Sequence, residues 1–220
     1  MIGRRSLSRF LTGLAFAAAT VAFLPSAAQA QQPREGTEYT RLKQPQATES
    51  AGKIEVTEFF WYSCPHCNAL EPSLETWIKK LPADVVIKRV PVRFNAGMEP
   101  QQRLYYTLEA LGKVDQLHRM VFTAIHEQHQ PMNTADRITD WAVKQGLDKA
   151  QFTAAYNSFG VQSKVQRAAK LTENYQIDGV PTLAINGRYL TSPAQAGSNA
   201  AALQVADFLI AQARKEGVTK

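Results

Sequence analysis

The sequence predicts an α/β protein in which a βαβ half and a ββα half build one central mixed sheet and flank an inserted all-helical domain. Three observations carry this. A run rich in β-branched and aromatic residues, Ile54 to Phe60, leads through a short turn into a helix that opens on Cys64-Pro65-His66-Cys67. From Gly97 to about Ala169 the apolar residues recur at helical spacing alone. Strand-like runs then return on either side of Asn186-Gly187, and an apolar-faced helix closes the chain.

The chain begins with features of an export leader. Arg4, Arg5 and Arg9 precede an apolar run from Phe10 to Leu24, and Ala28-Gln29-Ala30 offers a small-x-small cleavage site. The run falls short of the ~20 apolar residues that span a bilayer, so residues 1–30 are expected to be removed as a signal peptide. Arg4-Arg5 also raises twin-arginine export, but the residues after it do not extend that motif. An ordinary charged leader start is the simpler reading. Cleavage lowers the formal net charge from +6 to +3, because the leader holds three arginines and no acid. So mild a balance argues against a nucleic-acid partner.

After a polar stretch, Tyr39 to Leu42 offers a short edge strand, and Ala51-Gly52-Lys53 turns into the central one. The helix after the turn should run from about Pro65 to Lys80, with Leu70, Leu74, Trp77, Ile78 and Leu81 on its apolar face and a kink expected at Pro72. Val85 to Val92 is a second strand, parallel to the first by the βαβ rule. Helices are then expected over Glu99 to Leu111, Val114 to His126, Thr134 to Gly146, around Phe152 to Phe159, and over Ser163 to Tyr175. Thr182 to Ile185 and Arg188 to Leu190 form a hairpin across Asn186-Gly187, and Ala200 to Ala213 is the final helix. The segments thus divide as 31–96 and 170–220 for the two parts of the sheet domain, with 97–169 inserted.

The chemistry concentrates at the cysteines, which are the only two in the chain. Pro65 suits the first helical turn, which places Cys64 at a helix N-terminus beside unpaired amides and the positive end of the dipole. An anion is favoured there, and the thiolate is the nucleophilic form of a thiol. Cys64 is expected at an exposed tip as the attacked sulfur, and Cys67, one turn in, as its buried partner. His66 adds a donor or a positive charge near Cys64. A more stable thiolate favours the reduced form and makes the disulfide a stronger oxidant. Structural zinc wants four ligands, and no pattern couples the cysteines to His118, His126 or His129, which read as surface. A permanent disulfide across so short a loop adds little stability. Redox chemistry is therefore the preferred reading. Farther along, Val180-Pro181 enters a strand. A trans proline is the local default there, and a cis bond would turn the main chain of Val180 toward an extended partner segment.

Together, Glu58-Phe59-Phe60, Cys64-Pro65-His66-Cys67, the helical insertion and Gly179-Val180-Pro181 before Asn186-Gly187 resemble the thioredoxin superfamily, and within it the DsbA family of exported thiol:disulfide oxidases. The resemblance implies a thioredoxin fold, Cys64 as nucleophile with Cys67 as buried partner, and Pro65-His66 as the dipeptide that sets the potential. It also implies a cis Pro181, a substrate-facing main chain at Val180, and a buried acid at Glu58 that passes protons to or from Cys67. Glu71 either adds to the local field or is simply solvated. Trp61-Tyr62-Ser63 and Asn68-Ala69 depart from common family patterns, which bears on partner preference.

The implied activity is a periplasmic oxidase that donates its Cys64–Cys67 disulfide to reduced exported proteins and is reoxidised by a DsbB-type quinone-linked membrane protein. It would act as a monomer without a bound cofactor or metal. Two alternatives stand beside it. One is a periplasmic isomerase or reductase of the same fold, which usually carries a dimerisation module that is not evident here. The other is a non-catalytic binder or chaperone using the groove around Pro181.

Overall fold

The computed structural model describes residues 32–217; the leader and its cleavage site lie outside them. Five strands form one mixed sheet in the order β1-β5-β4-β2-β3. They are β1 (Thr40–Arg41), β2 (Ile54–Phe60), β3 (Val85–Pro91), β4 (Thr182–Ile185) and β5 (Tyr189–Thr191). The central β2 is buried along its whole length, as its near-continuous apolar run requires. It pairs in parallel with β3, Glu58 opposite Arg89, and antiparallel with β4, Glu58 opposite Leu183. A parallel pair needs a crossover, and α1 (Pro65–Ile78) supplies it.

Five helices lie between β3 and β4: α2 (Glu99–Ala110), α3 (Val114–His126), α4 (Ala135–Lys144), α5 (Lys149–Tyr156) and α6 (Phe159–Asn174). Thr134, Asp148 and Ser158 cap α4, α5 and α6 by accepting from Arg137, Gln151 and Val161 amides. Ser158 starts α6 four residues earlier than the apolar spacing indicates. Phe159 therefore opens α6 rather than closing α5. A short α7 (Pro193–Ala196), which the apolar pattern does not predict, precedes the closing α8 (Asn199–Glu216). The active-site helix stops at Ile78 rather than Lys80.

Side chains alternate across a strand, so Ile54, Val56 and Glu58 share one face of β2. Ile54 and Val56 pack there with Leu70 and Leu74 of α1 and with Leu209 of α8. Glu58 is thereby placed under the helix that carries the cysteines. Phe59 points the other way and meets Tyr175, ring centroids 5.2 Å apart. A second cluster joins Phe59 and Phe60 to Leu104, Phe122 and Phe152 of the helical segment, and both cysteines belong to it. The redox turn therefore sits on the seam between sheet and helices. Asn186 and Gly187 turn the β4–β5 hairpin at φ 50° and 65°. A Cβ at Gly187 would also run into the main-chain oxygen of Gln46, so glycine is required twice over.

Candidate active site

Cys64 is the N-cap of α1, at φ −79° and ψ 119°, with Pro65 in the first turn. No side chain caps this helix, so its first amides are left to the sulfur. Cys67 is fully buried, while Pro65 and His66 are exposed. Cys64 itself is not at an exposed tip, since only 7% of it is accessible. The loop before β4 covers it: the Cys64 thiol donates to the main-chain oxygen of Val180 at 3.4 Å. The Val180–Pro181 bond is cis, so the local trans default gives way to the tertiary structure. Val180 is half-buried and Pro181 buried.

The two thiols are pushed in opposite directions. Cys64 is lowered to about 6, chiefly by the Cys67 S–H, against its own desolvation; the backbone amides of Cys67 and His66 follow, and the charge of His66 contributes least. The helix terminus and the partner sulfur thus outweigh the side chain that the motif brings to mind first. Burial drives Cys67 far above its ordinary value, and its neighbour Cys64 adds to this. One sulfur is a thiolate at neutral pH and the other a thiol.

Beneath them lies a charged cluster. Glu58 and Glu71 are both fully buried, which settles Glu71 as a buried group rather than a solvated one. Arg89, opposite Glu58 in β3, binds both: Nε donates to Glu58 Oε2 at 3.0 Å and Nη2 to Glu71 Oε1 at 2.6 Å. Desolvation, then the nearby Glu71, pushes Glu58 up to about 7 against the pull of Arg89. Burial also raises Glu71. A strand reading as Val-Val-Ile-Lys-Arg-Val-Pro hides Arg89 among strand formers. The one signal for it is that in-phase parallel strands set this cation opposite an acid.

The helical segment grips the turn before Cys64. His118, expected at the surface, is buried, and its Nδ1 lies 2.8 Å from the Tyr62 hydroxyl. His126, also expected there, is half-buried and donates from Nε2 to the Tyr62 carbonyl at 2.8 Å. Of the three, only His129 is exposed. The partners of the other two lie 56 and 64 residues away in sequence, so helical spacing alone could not reveal them. Gln101 of α2 makes a reciprocal pair with Ser63, accepting from its amide at 3.2 Å and donating to its hydroxyl at 2.6 Å. Arg119 of α3 donates to Asn68 Oδ1 at 2.9 Å and reaches its carbonyl at 3.5 Å. That carbonyl is the one Pro72, four residues on, cannot pair with.

Trp61 packs on the cluster that holds the cysteines, whereas Trp77 joins the other and donates to Asp207 at 2.8 Å. Of these two, only Trp61 is a reporter beside the sulfurs. Among the described residues no three or more His, Cys, Asp or Glu side chains converge as a metal site would require.

The DSBA-like thioredoxin domain model matches residues 87–204, which begins beyond the cysteines and so does not depend on them. Over 211 residues the chain is 49% identical to the thiol:disulfide interchange protein DsbA of Bordetella parapertussis, covering 96% of this chain and 98% of that one. The chain belongs to the DsbA family. The Burkholderia cepacia DsbA is 41% identical over 210 residues, 95% of this chain and 97% of that one. A crystal structure of Pseudomonas aeruginosa DsbA superposes with a TM-score of 0.79 at 40% identity, covering 82% of this chain and 94% of that one. The DsbA-family chain is accordingly a thiol:disulfide oxidoreductase of the oxidase kind with a thioredoxin fold and helical insertion, and the isomerase alternative is not favoured.

Proposed function

We propose that Cys64 is the sulfur that meets substrate and that Cys67, Glu58, His66 and the Val180–Pro181 loop serve it in a periplasmic cycle. A substrate thiolate attacks Cys64 of the Cys64–Cys67 disulfide. The bond between the two cysteines breaks, Cys67 leaves with the electron pair, and Glu58 supplies the proton its buried sulfur needs. A second substrate thiolate then attacks the substrate sulfur of the mixed disulfide, and Cys64 leaves as a thiolate. The substrate dithiol has lost two electrons and the protein's pair has gained them.

The observation that carries this reading is the split between the sulfurs: Cys64 held at about 6, Cys67 far above. A leaving group stabilised as an anion leaves fast and makes its disulfide oxidising. The main-chain oxygen of Val180 beside Cys64 supports docking of an extended substrate segment, with Pro181 setting the loop. The export leader at residues 1–30 supports a periplasmic location, with reduced exported proteins as substrates. A DsbB-type quinone-linked membrane protein would restore the disulfide on the same face, and the protein would act as a monomer.

The test uses oxidised protein and a reduced, unfolded substrate, following loss of substrate thiols. The wild type should oxidise the substrate, Cys64→Ser should not, and Cys67→Ser should be recovered with exported proteins bound through Cys64 in cells. Full activity of Cys64→Ser would sink the reading.

A further inference from the structure

We propose that His118, from α3, is a positioning residue that decides which of two buried carboxyls carries the proton under Cys67: by bringing its Nε2 edge within 3.5 Å of Glu71 Oε1 it keeps Glu71 ionised and leaves the proton on Glu58. The inference rests on Glu58 being the proton partner of Cys67.

Two fully buried carboxyls share one cation, Arg89, whose side chain is 14% exposed. Both ionised, they would leave a net negative charge in a low-dielectric site, so one proton stays. Donors decide where. Glu58 has the guanidinium alone, through Oε2; its Oε1, like Glu71 Oε2, has no hydrogen-bond partner. Glu71 Oε1 has the guanidinium at 2.6 Å and also His118 Nε2 at 3.5 Å, an electrostatic contact and not a hydrogen bond.

His118 can play this part because it is neutral and held in one orientation. Burial, then Arg89, pushes its imidazole down to about 3, so it has a single N–H. Its Nδ1 faces the hydroxyl of Tyr62, a phenol that burial keeps protonated. The carboxylate on the other side assigns the N–H to Nε2, and Tyr62 then donates to Nδ1. Rings of Phe60, Tyr62, Tyr105 and Phe122 fix the imidazole plane. Other charged and titratable groups also face the cluster. Arg119 of α3 favours the Glu71 anion. Tyr105 of α2 is kept neutral by burial. Glu58, and after it Glu75 of α1, draw His118 toward protonation but are outweighed by burial and Arg89.

The consequence reaches both sulfurs. A neutral Glu58 puts no anion under the Cys64 thiolate and holds a proton ready for Cys67. Without His118 the proton moves to Glu71, and an anionic Glu58 then opposes the thiolate.

The test follows isotope-labelled Glu58 and Glu71 carboxyls by NMR in the reduced full-length mature protein. In the wild type Glu58 should titrate at about 7 and Glu71 at lower pH. His118→Phe preserves the ring packing; it should lower the Glu58 midpoint, raise that of Glu71, and move Cys64 thiolate absorbance up by on the order of one pH unit. His118→Gln, which keeps an N–H donor at this position, should restore all three. Unchanged carboxyl midpoints in folded His118→Phe, or equal displacement in Phe and Gln variants, would overturn the proposal. Glu58→Gln probes the underlying reading separately. Unaltered disulfide transfer in that variant removes Glu58 from the chemistry, while the titration still decides the role of His118.

Discussion

The Cys64 thiol donates to the main-chain oxygen of Val180 across 3.4 Å, joining two loops 116 residues apart. Ionisation of Cys64 gives up that hydrogen bond, so the contact works against the thiolate. The sulfur is nonetheless held at about 6, because the Cys67 S–H and the first amides of α1 outweigh it. Any main chain that pairs with Val180 arrives beside the reactive sulfur.

The order of these contributions is testable in single variants. Cys67→Ala should raise the midpoint of Cys64 thiolate absorbance more than His66→Ala does, since the Cys67 S–H is the largest influence and the His66 charge the smallest. A larger displacement from His66→Ala would return the leading role to the histidine.

Thiolate stabilisation also makes the reduced protein pH-dependent. Cys64 is lowered from 9.0 to about 6 by folding, so the stability it contributes is fully present above about pH 9 and is lost as pH falls through about 6. The oxidised protein lacks this group. Denaturant unfolding of both forms should show the reduced form losing its advantage as pH drops from neutral to below 6. A difference independent of pH would contradict the account.

Glu58 has the opposite sign. Its carboxyl is raised from 4.5 to about 7, so the unfolded chain releases this proton first and stability falls as pH rises through that window. Glu58→Gln should therefore melt higher than wild type above neutrality and converge with it in acid. Equal melting curves at both ends would mean the carboxyl is not protonated in the fold.

The clamps on the turn should cost stability when cut. Gln101→Ala leaves the Ser63 amide and hydroxyl without their partner; a loss of about 1–2 kcal/mol is expected by denaturant unfolding. Gly187→Ala should cost at least as much, because the added Cβ meets the Gln46 oxygen at a positive φ. No loss in either variant would show that these contacts do not hold the loops.

Much of this architecture is legible from local pattern. The run Ile54 to Phe60, the proline after Cys64 and the Asn186-Gly187 pair each dictate their own element through residues next to one another. The cis bond at Pro181 is not, and follows only from the family resemblance. What escapes is set by distance along the chain. His118 sits on α3 between Leu117 and Val121, where a polar residue at the edge of an apolar stripe reads as surface. Its burial follows only once Tyr62 and Phe60 are brought against α3. Arg89 is hidden for the same reason, since its two carboxyl partners lie 31 and 18 residues before it.

The most direct test of the central claim is the equilibrium of the protein against graded mixtures of reduced and oxidised glutathione, read by Trp61 fluorescence in a Trp77→Phe, Trp141→Phe background. With Cys64 held as a thiolate, the oxidised form should give way at mildly reducing ratios. A Cys64–Cys67 disulfide that survives to strongly reducing ratios would contradict the account and mark the protein as a reductant.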